Sequence, residues 1–197
     1  MDDEQEEITA VPSLIIDGDE KEVSALYIRV RQVDELEKER VFKAISENLY
    51  LNRAVVSRSQ EGAFLAFFNL NKRQNNHEML AVKTALDIQR GIRNVKSLDI
   101  GFGINTGRAI ASNAINGVIN YTCLGNFVNI AKKLSSRSKQ KILFTQSVHS
   151  KISNNLKAEE INELFDDFNI KIYSLSKIVD RERYNRYVKE FMNRMNI

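Results

Sequence analysis

Two linked stretches, GINTGRAIASN at residues 103–113 and NYTCLGNFVNIAKKL at residues 120–134, say most about the fold of this chain. The first continues an alternating run over residues 98–104, which is typical of a strand. The second belongs to a segment, residues 126–138, that places apolar side chains at helical spacing on one face. Together they predict a strand followed by a helix.

Three glycines interrupt the predicted strand, at Gly101, Gly103 and Gly107. Their spacing, G-x-G-x-x-x-G, differs from the G-x-G-x-x-G of dinucleotide-binding loops, and the segment does not open a helix. We therefore interpret them as positions at a strand end, where the missing side chains relieve crowding and permit a turn.

The remaining elements follow from the periodicity on either side of these stretches. In chain order we predict a strand at 23–31, a helix at 36–49, a hairpin from 54–57 and 63–69, a helix at 75–92, the strand at 98–104, the helix at 126–138, a strand at 141–145, a short helix at 146–153 and a strand at 170–175. The first six elements predict an α+β fold, with a ferredoxin-like (split-βαβ) antiparallel sheet and helices on one of its faces.

The composition allows one domain with flanking segments. At 197 residues and 43% hydrophobic content, the chain is long enough for one good core and too short for two ordinary domains. We expect an acidic flexible tail or linker at 1–22, the folded domain at 23–178 and an amphipathic helix at 179–197. The net charge of +3 hides an asymmetry, because the first 22 residues hold nine acids and one lysine, which leaves +11 on the remainder.

The sequence disfavours several classes of protein and site. It has no apolar run long enough for a membrane span and no signal peptide, so we expect a cytoplasmic protein. One cysteine and two histidines offer no ligand cluster for structural zinc, and we expect folding without metal. Basic residues are not interleaved with aromatic ones, as they are in nucleic-acid modules. The basic C-terminal helix is expected to pack on protein rather than on a membrane.

The two stretches quoted above resemble the class III nucleotidyl (adenylyl and guanylyl) cyclases. They are similar, in order and spacing, to the family run G-I-x-x-G-x-x-x-x-G-N followed by D-Y-x-x-x-G-x-x-V-N-x-A-x-R-L. Residues 24–36 resemble the first metal-binding strand, L-F-x-D-I-x-G-F, and residues 58–68 resemble K-x-x-G-D-x-x-M-A-x-F. The resemblance covers residues 23–176, with residues 141–145 similar to the strand after the catalytic helix, and it implies the cyclase fold.

The resemblance implies that this chain lacks both metal-binding aspartates of active cyclases. In active members these aspartates hold two Mg²⁺ ions, which neutralise the triphosphate and activate the ribose 3′-hydroxyl. Arg29 occupies the first position and Gly62 the second, and neither side chain can bind Mg²⁺. Glu61 is an alternative carboxylate, but neighbouring residues of a strand face opposite ways. We therefore expect no metal site, and Mg²⁺ or Mn²⁺ only if a partner supplies the aspartates.

The other half of the family's site is better matched. By the resemblance, Asn129 stands at the position that orients the ribose, and Lys133 replaces an arginine that contacts the phosphates, so both are residual catalytic candidates. Arg58 stands at the base-reading lysine, and Thr122 at the base-reading position of adenylyl members, which favours adenine. Arg29 is a further candidate for nucleotide binding, because its guanidinium can pair with phosphate oxygens in place of the metal. The alternative for each is an ordinary surface side chain, and for Arg29 a salt bridge or contact with solvent.

Three functions of different classes follow. The first is a degenerate cyclase-like domain, inactive alone, that works as a dimerising signalling module and binds ATP or another nucleotide as a ligand. The second is the metal-less half of a heterodimeric cyclase that makes cAMP with an aspartate-bearing partner. The third, nucleic-acid binding by the basic domain, rests on charge alone and is the least supported.

Overall fold

Eight strands form one mixed sheet in the residues that the computed structural model describes, which are 20–58, 62–111, 121–161 and 170–179. The strands are β1 (Glu20–Gln32), β2 (Val55–Arg58), β3 (Ala63–Phe68), β4 (Asp99–Ala111), β5 (Tyr121–Leu124), β6 (Ile142–Thr145), β7 (Leu156–Ile161) and β8 (Ile172–Ile178). Their order across the sheet is β2-β3-β1-β4-β6-β8-β7, and β5 pairs with β4. The β4–β6 pair is parallel and the other pairs are antiparallel.

Strand β1 lies between β3 and β4, and its middle section, which is apolar except for Ser24, is buried on both faces of the sheet. It begins at Glu20, earlier than the predicted Val23. The extra residues continue the antiparallel ladder with β4, where Glu20 lies opposite Ile110 and forms a salt bridge with Arg108 at 2.8 Å. The first residues of the strand are charged and do not show the apolar alternation of a strand, so the sequence pattern did not predict them.

Three helices, α1 (Glu35–Leu51), α2 (His77–Gly91) and α4 (Gln146–Ile152), cover one face of the sheet. Leu26 and Ile28 of β1 point to this face. They belong to the larger apolar core, which also contains Ile45 of α1, Ile88 of α2 and Val148 of α4, all fully buried. The helical spacing of these apolar residues is what presents them on one side of each helix.

The fourth helix, α3 (Phe127–Arg137), covers the opposite face. Phe127 and Ala131 are buried there with Ala25 and Tyr27 of β1. Asn105 of β4 fastens the start of the helix, because its Nδ2 donates to the Phe127 carbonyl oxygen at 3.1 Å.

The glycines of β4 are what allow α3 to lie against the sheet. A Cβ at Gly103 would fall on the carbonyl oxygen of Ala131, and a Cβ at Gly107 would fall in the ring of Phe127. At Gly101 it would fall on the carbonyl oxygen of Ser135. These contacts confirm that the glycines relieve crowding, whereas the predicted turn is wrong, because β4 continues through them to Ala111.

The predicted α+β class is confirmed, and the first six elements form the antiparallel sheet with two helices on one face. The later elements add a parallel strand pair and place α3 on the other face. Within the described ranges, every helix is too short or too polar to cross a lipid bilayer. The predicted tail up to residue 19 and the helix expected at 180–197 lie outside those ranges, as does Glu61.

Candidate functional site

The two positions at which the resemblance places metal ligands lie side by side. Arg29 on β1 is paired with Ala63 at the start of β3, directly after Gly62. The amide of Val30 donates to the Gly62 carbonyl oxygen at 2.7 Å and fixes this arrangement. The fold therefore presents a guanidinium and a bare backbone at the two positions where the resemblance places carboxylates.

Gly62 has a backbone shape that favours glycine. Its φ is +81°, in the left-handed region that side chains other than glycine rarely adopt. A Cβ built there would lie 2.8 Å from the carbonyl oxygen of Val30. An aspartate at this position would therefore be strained as the backbone now stands.

Arg29 is exposed and reaches the last turn of α3, where its Nη1 donates to Ser136 Oγ at 3.2 Å. The sequence left a salt bridge or contact with solvent as alternatives for Arg29, and the side chain is in contact with solvent. Among the described residues, its hydrogen-bond partner is a serine rather than an acid. The C-terminal end of a helix carries partial negative charge, so it favours a cation at this place. The guanidinium keeps donors that a phosphate can engage.

Arg31, two residues further along the same strand, anchors the sheet to α3 and was not foreseen from the sequence. Its guanidinium forms a two-point ion pair with Asp99, with N–O distances of 2.6 and 2.8 Å, and its Nη1 donates to the Ser135 carbonyl oxygen at 2.8 Å. The hydrogen bonds between Arg31 and Asp99 lower the pKa of Asp99 and raise the pKa of Arg31. The alternation of the strand indicated the shared face of Arg29 and Arg31, but not the distant partner.

A cavity of about 330 Å³ opens beside Gly62, at the N-terminus of α1. Its lining residues are Val30, Arg31, Gln32, Val33, Glu35, Lys38, Phe42 and Gly62. Glu35 is the carboxylate in this set, and Lys38 pairs with it at 3.3 Å. The first helical turn also contains Glu37, and the Asp34 side chain caps the helix by accepting from Leu36 N at 3.0 Å. One paired carboxylate does not replace two metal ligands, and an acidic helix start disfavours phosphate.

Asn129 and Lys133 lie one turn apart on the exposed side of α3, as their i, i+4 spacing predicts. Helix α3 runs antiparallel to β4, since Phe127 packs at Gly107 and Ser135 at Gly101. Lys133 is therefore near the end of the helix that Arg29 reaches, and Asn129 lies towards the other end.

The two base-reading candidates lie on other strands. Arg58 is in β2, opposite Phe64, and β3 separates this strand from β1. Thr122 is in β5, opposite Ile110 of β4, whereas Arg29 is opposite Gly101 at the far end of the same strand. At about 3.3 Å per residue, these two places on β4 are about 30 Å apart. One chain alone does not bring Thr122 and Arg29 together.

Several solved nucleotidyl cyclase domains have this fold. The dimeric guanylyl cyclase domain of the RhoGC fusion protein from the aquatic fungus Blastocladiella emersonii has a TM-score of 0.69 at 15% identity, over 82% of this chain and 99% of that chain. The guanylate cyclase domain of RhGC from Catenaria anguillulae, in complex with GTP, has a TM-score of 0.67 at 16% identity, over 82% and 100%. The adenylyl cyclase CyaB from P. aeruginosa has a TM-score of 0.64 at 17% identity, over 83% and 96%.

These similarities establish the fold, which is that of class III cyclase catalytic domains, as the sequence motifs predicted. No family model matches the sequence, and no curated protein matches it. The likeness is therefore one of backbone architecture, at an identity of 15 to 17% with the three structures named above. What the chain does depends on the residues that this architecture brings together.

Proposed function

We propose that this chain is a degenerate class III cyclase-like domain, which dimerises and works as a signalling or nucleotide-binding module rather than as a catalyst alone. The observation that carries the proposal is the adjacent placement of Arg29 and Gly62 at the two expected metal positions. A cyclase needs paired metal ions to steady the attacking and leaving oxygens, and these residues offer no oxygen ligand from a side chain.

The proposed ligand is a nucleoside triphosphate, ATP in preference to GTP, bound without a metal ion. Arg29 contributes a charge that pairs with phosphate oxygens directly. Lys133 contributes a second positive charge, although it lacks the planar fork of arginine. Asn129 would orient the ribose, and Arg58 and Thr122 would contact the base, as the resemblance implies.

Dimerisation follows from the distances within one chain. Thr122 and Arg29 lie opposite places on β4 that are about 30 Å apart, farther than one nucleotide reaches. A site that uses both therefore needs Arg29 from one copy and Thr122 from the other. By the resemblance, Asn129 and Lys133 would come from the same copy as Thr122. The dimeric Blastocladiella domain is a precedent for this fold.

Binding of ATP and GTP by calorimetry, in EDTA and then in Mg²⁺, tests the proposal. We expect ATP to bind in EDTA, and Arg29→Ala to weaken it at least about tenfold, the loss of one charge-assisted hydrogen bond. Arg40→Ala is the matched control, because Arg40 is an exposed arginine of α1 that pairs with Glu37. Absence of triphosphate binding at millimolar ligand, or equal binding by wild type and Arg29→Ala, would refute the nucleotide site.

Sedimentation at several protein concentrations, with and without ATP, tests the dimer separately. A composite site predicts a monomer–dimer equilibrium that ATP shifts towards the dimer, because the ligand then contacts both copies. A monomer at every concentration, in the presence of bound ATP, would exclude the composite site while leaving nucleotide binding intact.

A second candidate is the metal-less half of a heterodimeric cyclase. This candidate is favoured by the exposure of Asn129 and Lys133 on α3, because both side chains are accessible to another chain. Mixing the protein with a cyclase domain that has both aspartates but a damaged Asn or Arg should then produce cAMP. The same mixture made with Asn129→Ala should stay inactive, and activity with neither or both would count against this candidate.

A further inference from the structure

Three side chains of the kind that bind metals meet on the face of the sheet opposite α3. Glu22 comes from the start of β1, and His77 and Glu78 come from the start of α2. Their ligand atoms all lie within 4.8 Å of one another. Glu22 and His77 are 55 positions apart in sequence, so only the fold brings Glu22 to the other two residues.

Glu78 is the most buried carboxylate of the three side chains. Its side chain is 7% exposed, and its Oε2 lies 3.6 Å from His77 Nδ1. The N-terminus of α2 favours the negative charge. A cation bound between Glu78, His77 and Glu22 would stabilise this buried charge further.

His77 is held in a fixed orientation. Its Nδ1 lies 2.8 Å from Ser24 Oγ, and that hydroxyl lies 3.2 Å from Thr106 Oγ1 on the neighbouring strand. Burial lowers the pKa of His77, while the charges of Glu78 and Glu22 raise it.

Glu22 closes the cluster on the solvent side. Its side chain is 48% exposed and pairs with Lys151 Nζ of α4 at 3.5 Å. Lys151 thus supplies one positive charge against the two carboxylates. It is itself half exposed, so it can move into solvent when another cation enters.

We propose that Glu22, His77 and Glu78 form a binding site for a divalent transition-metal cation of the Zn²⁺ kind. One imidazole nitrogen and two carboxylates suit Zn²⁺, whereas Mg²⁺ and Ca²⁺ prefer oxygen ligands only. The charge of +2 balances the two carboxylates. Because Glu22 is in β1 and the other two ligands are in α2, the bound ion links β1 to α2, on the face of the sheet away from Arg29.

Histidine NMR tests this site directly, because the chain has only two histidines. We expect one equivalent of ZnCl₂ to shift the ring resonances of His77 and to leave those of His149, which stacks on Tyr173 at 3.9 Å, unchanged. EDTA should reverse the shift. MgCl₂ at the same concentration should not produce it.

Two surface variants and a control complete the test without disturbing the buried residues. Glu22→Gln should weaken Zn²⁺ binding by more than about tenfold. Loss of a residue that only hydrogen-bonds to a metal ligand already weakens binding by that factor, and Glu22 is proposed to bind the ion itself. Lys151→Gln should strengthen it, because the competing cation is gone. Glu160→Gln is the control, since Glu160 is an exposed acid of β7 that pairs with Lys171, directly before β8.

The proposal fails on any of three results. These are a His77 resonance that stays unchanged at millimolar Zn²⁺, binding that Glu22→Gln leaves as tight as in the wild type, and weaker binding by Lys151→Gln.

Discussion

Arg29 and Gly62 alter the expected metal site through different physical effects, charge at one and backbone shape at the other. Arg29 puts a positive charge where the resemblance places two metal ions, and its Nη1 donates to Ser136 Oγ at the end of α3. Gly62 adopts a φ of +81°, and a Cβ there would lie 2.8 Å from the carbonyl oxygen of Val30, so the backbone itself disfavours a side chain. Restoring an aspartate at 62 thus requires a new backbone as well as a new residue.

Replacement of Gly62 measures that backbone effect. Gly62→Ala should lower the free energy of unfolding by about 1–3 kcal/mol, because a residue with a Cβ is forced into the left-handed region. Gly91→Ala, at the end of α2, is the matched control, since a Cβ there has no neighbour within 4 Å. It should be neutral or stabilise by about 0.5–1 kcal/mol. Urea denaturation compares the two, and equal stabilities would contradict this account of the turn.

The pair between Arg31 and Asp99 predicts a dependence of stability on pH. Arg31 lowers the pKa of Asp99 in the folded state, so the stabilisation is fully present above the unfolded pKa, about 4, and is lost as the pH falls through the lower folded value. Asp99→Asn should lower the free energy of unfolding by about 1 kcal/mol at pH 7, as expected of a partly exposed pair. Its stability should then fall less steeply below about pH 4.

A second aspartate provides the comparison for this effect. Asp87 pairs with Arg90 at 3.7 Å on the surface of α2, so Asp87→Asn should change stability by less than about 0.5 kcal/mol. Urea denaturation at pH 7 and at several values down to pH 3 measures both variants. If Asp99→Asn were as stable as the wild type at pH 7, the pair would not anchor α3.

At the scale of elements, the packing of α3 on β4 depends on glycines on the face of β4 that the helix covers. A Cβ at Gly103 would overlap the Ala131 carbonyl oxygen and lie 2.6 Å from Ser135 N. Gly103→Ala should therefore displace the helix and cost about 3 kcal/mol, at the upper end for overpacking, because backbone atoms cannot rotate away. Urea denaturation beside Gly91→Ala measures it, and a cost below about 1 kcal/mol would show that α3 shifts easily.

The sequence predicted these elements well where the physics is local. Helical spacing located α1 and α3, and alternation located β1, because the apolar periodicity of each follows from the face it buries. The start of α2 was predicted at residue 75, which is two residues too early. The helix begins at His77, after Asn76 in the left-handed conformation.

At the scale of the whole molecule, contacts between distant residues were beyond the sequence. Periodicity could place Arg31 on a face, but nothing local indicates that its partner is Asp99 or that α3 would offer its terminal carbonyl oxygens. Likewise, Glu22 and His77 meet only because β1 passes under the start of α2. The cyclase motifs succeeded because they encode such long-range packing as a pattern of glycines and apolar residues.

We propose that this domain, by itself, makes no cyclic nucleotide. The measurement is cAMP and cGMP formation from ATP and GTP, with Mg²⁺ and with Mn²⁺, beside a heat-inactivated sample. The adenylyl cyclase CyaB from P. aeruginosa serves as the positive control. We predict no product above the inactivated sample, because Arg29 and Gly62 stand at the positions where the resemblance places the metal ligands. Steady product formation that increases with protein concentration would contradict the claim.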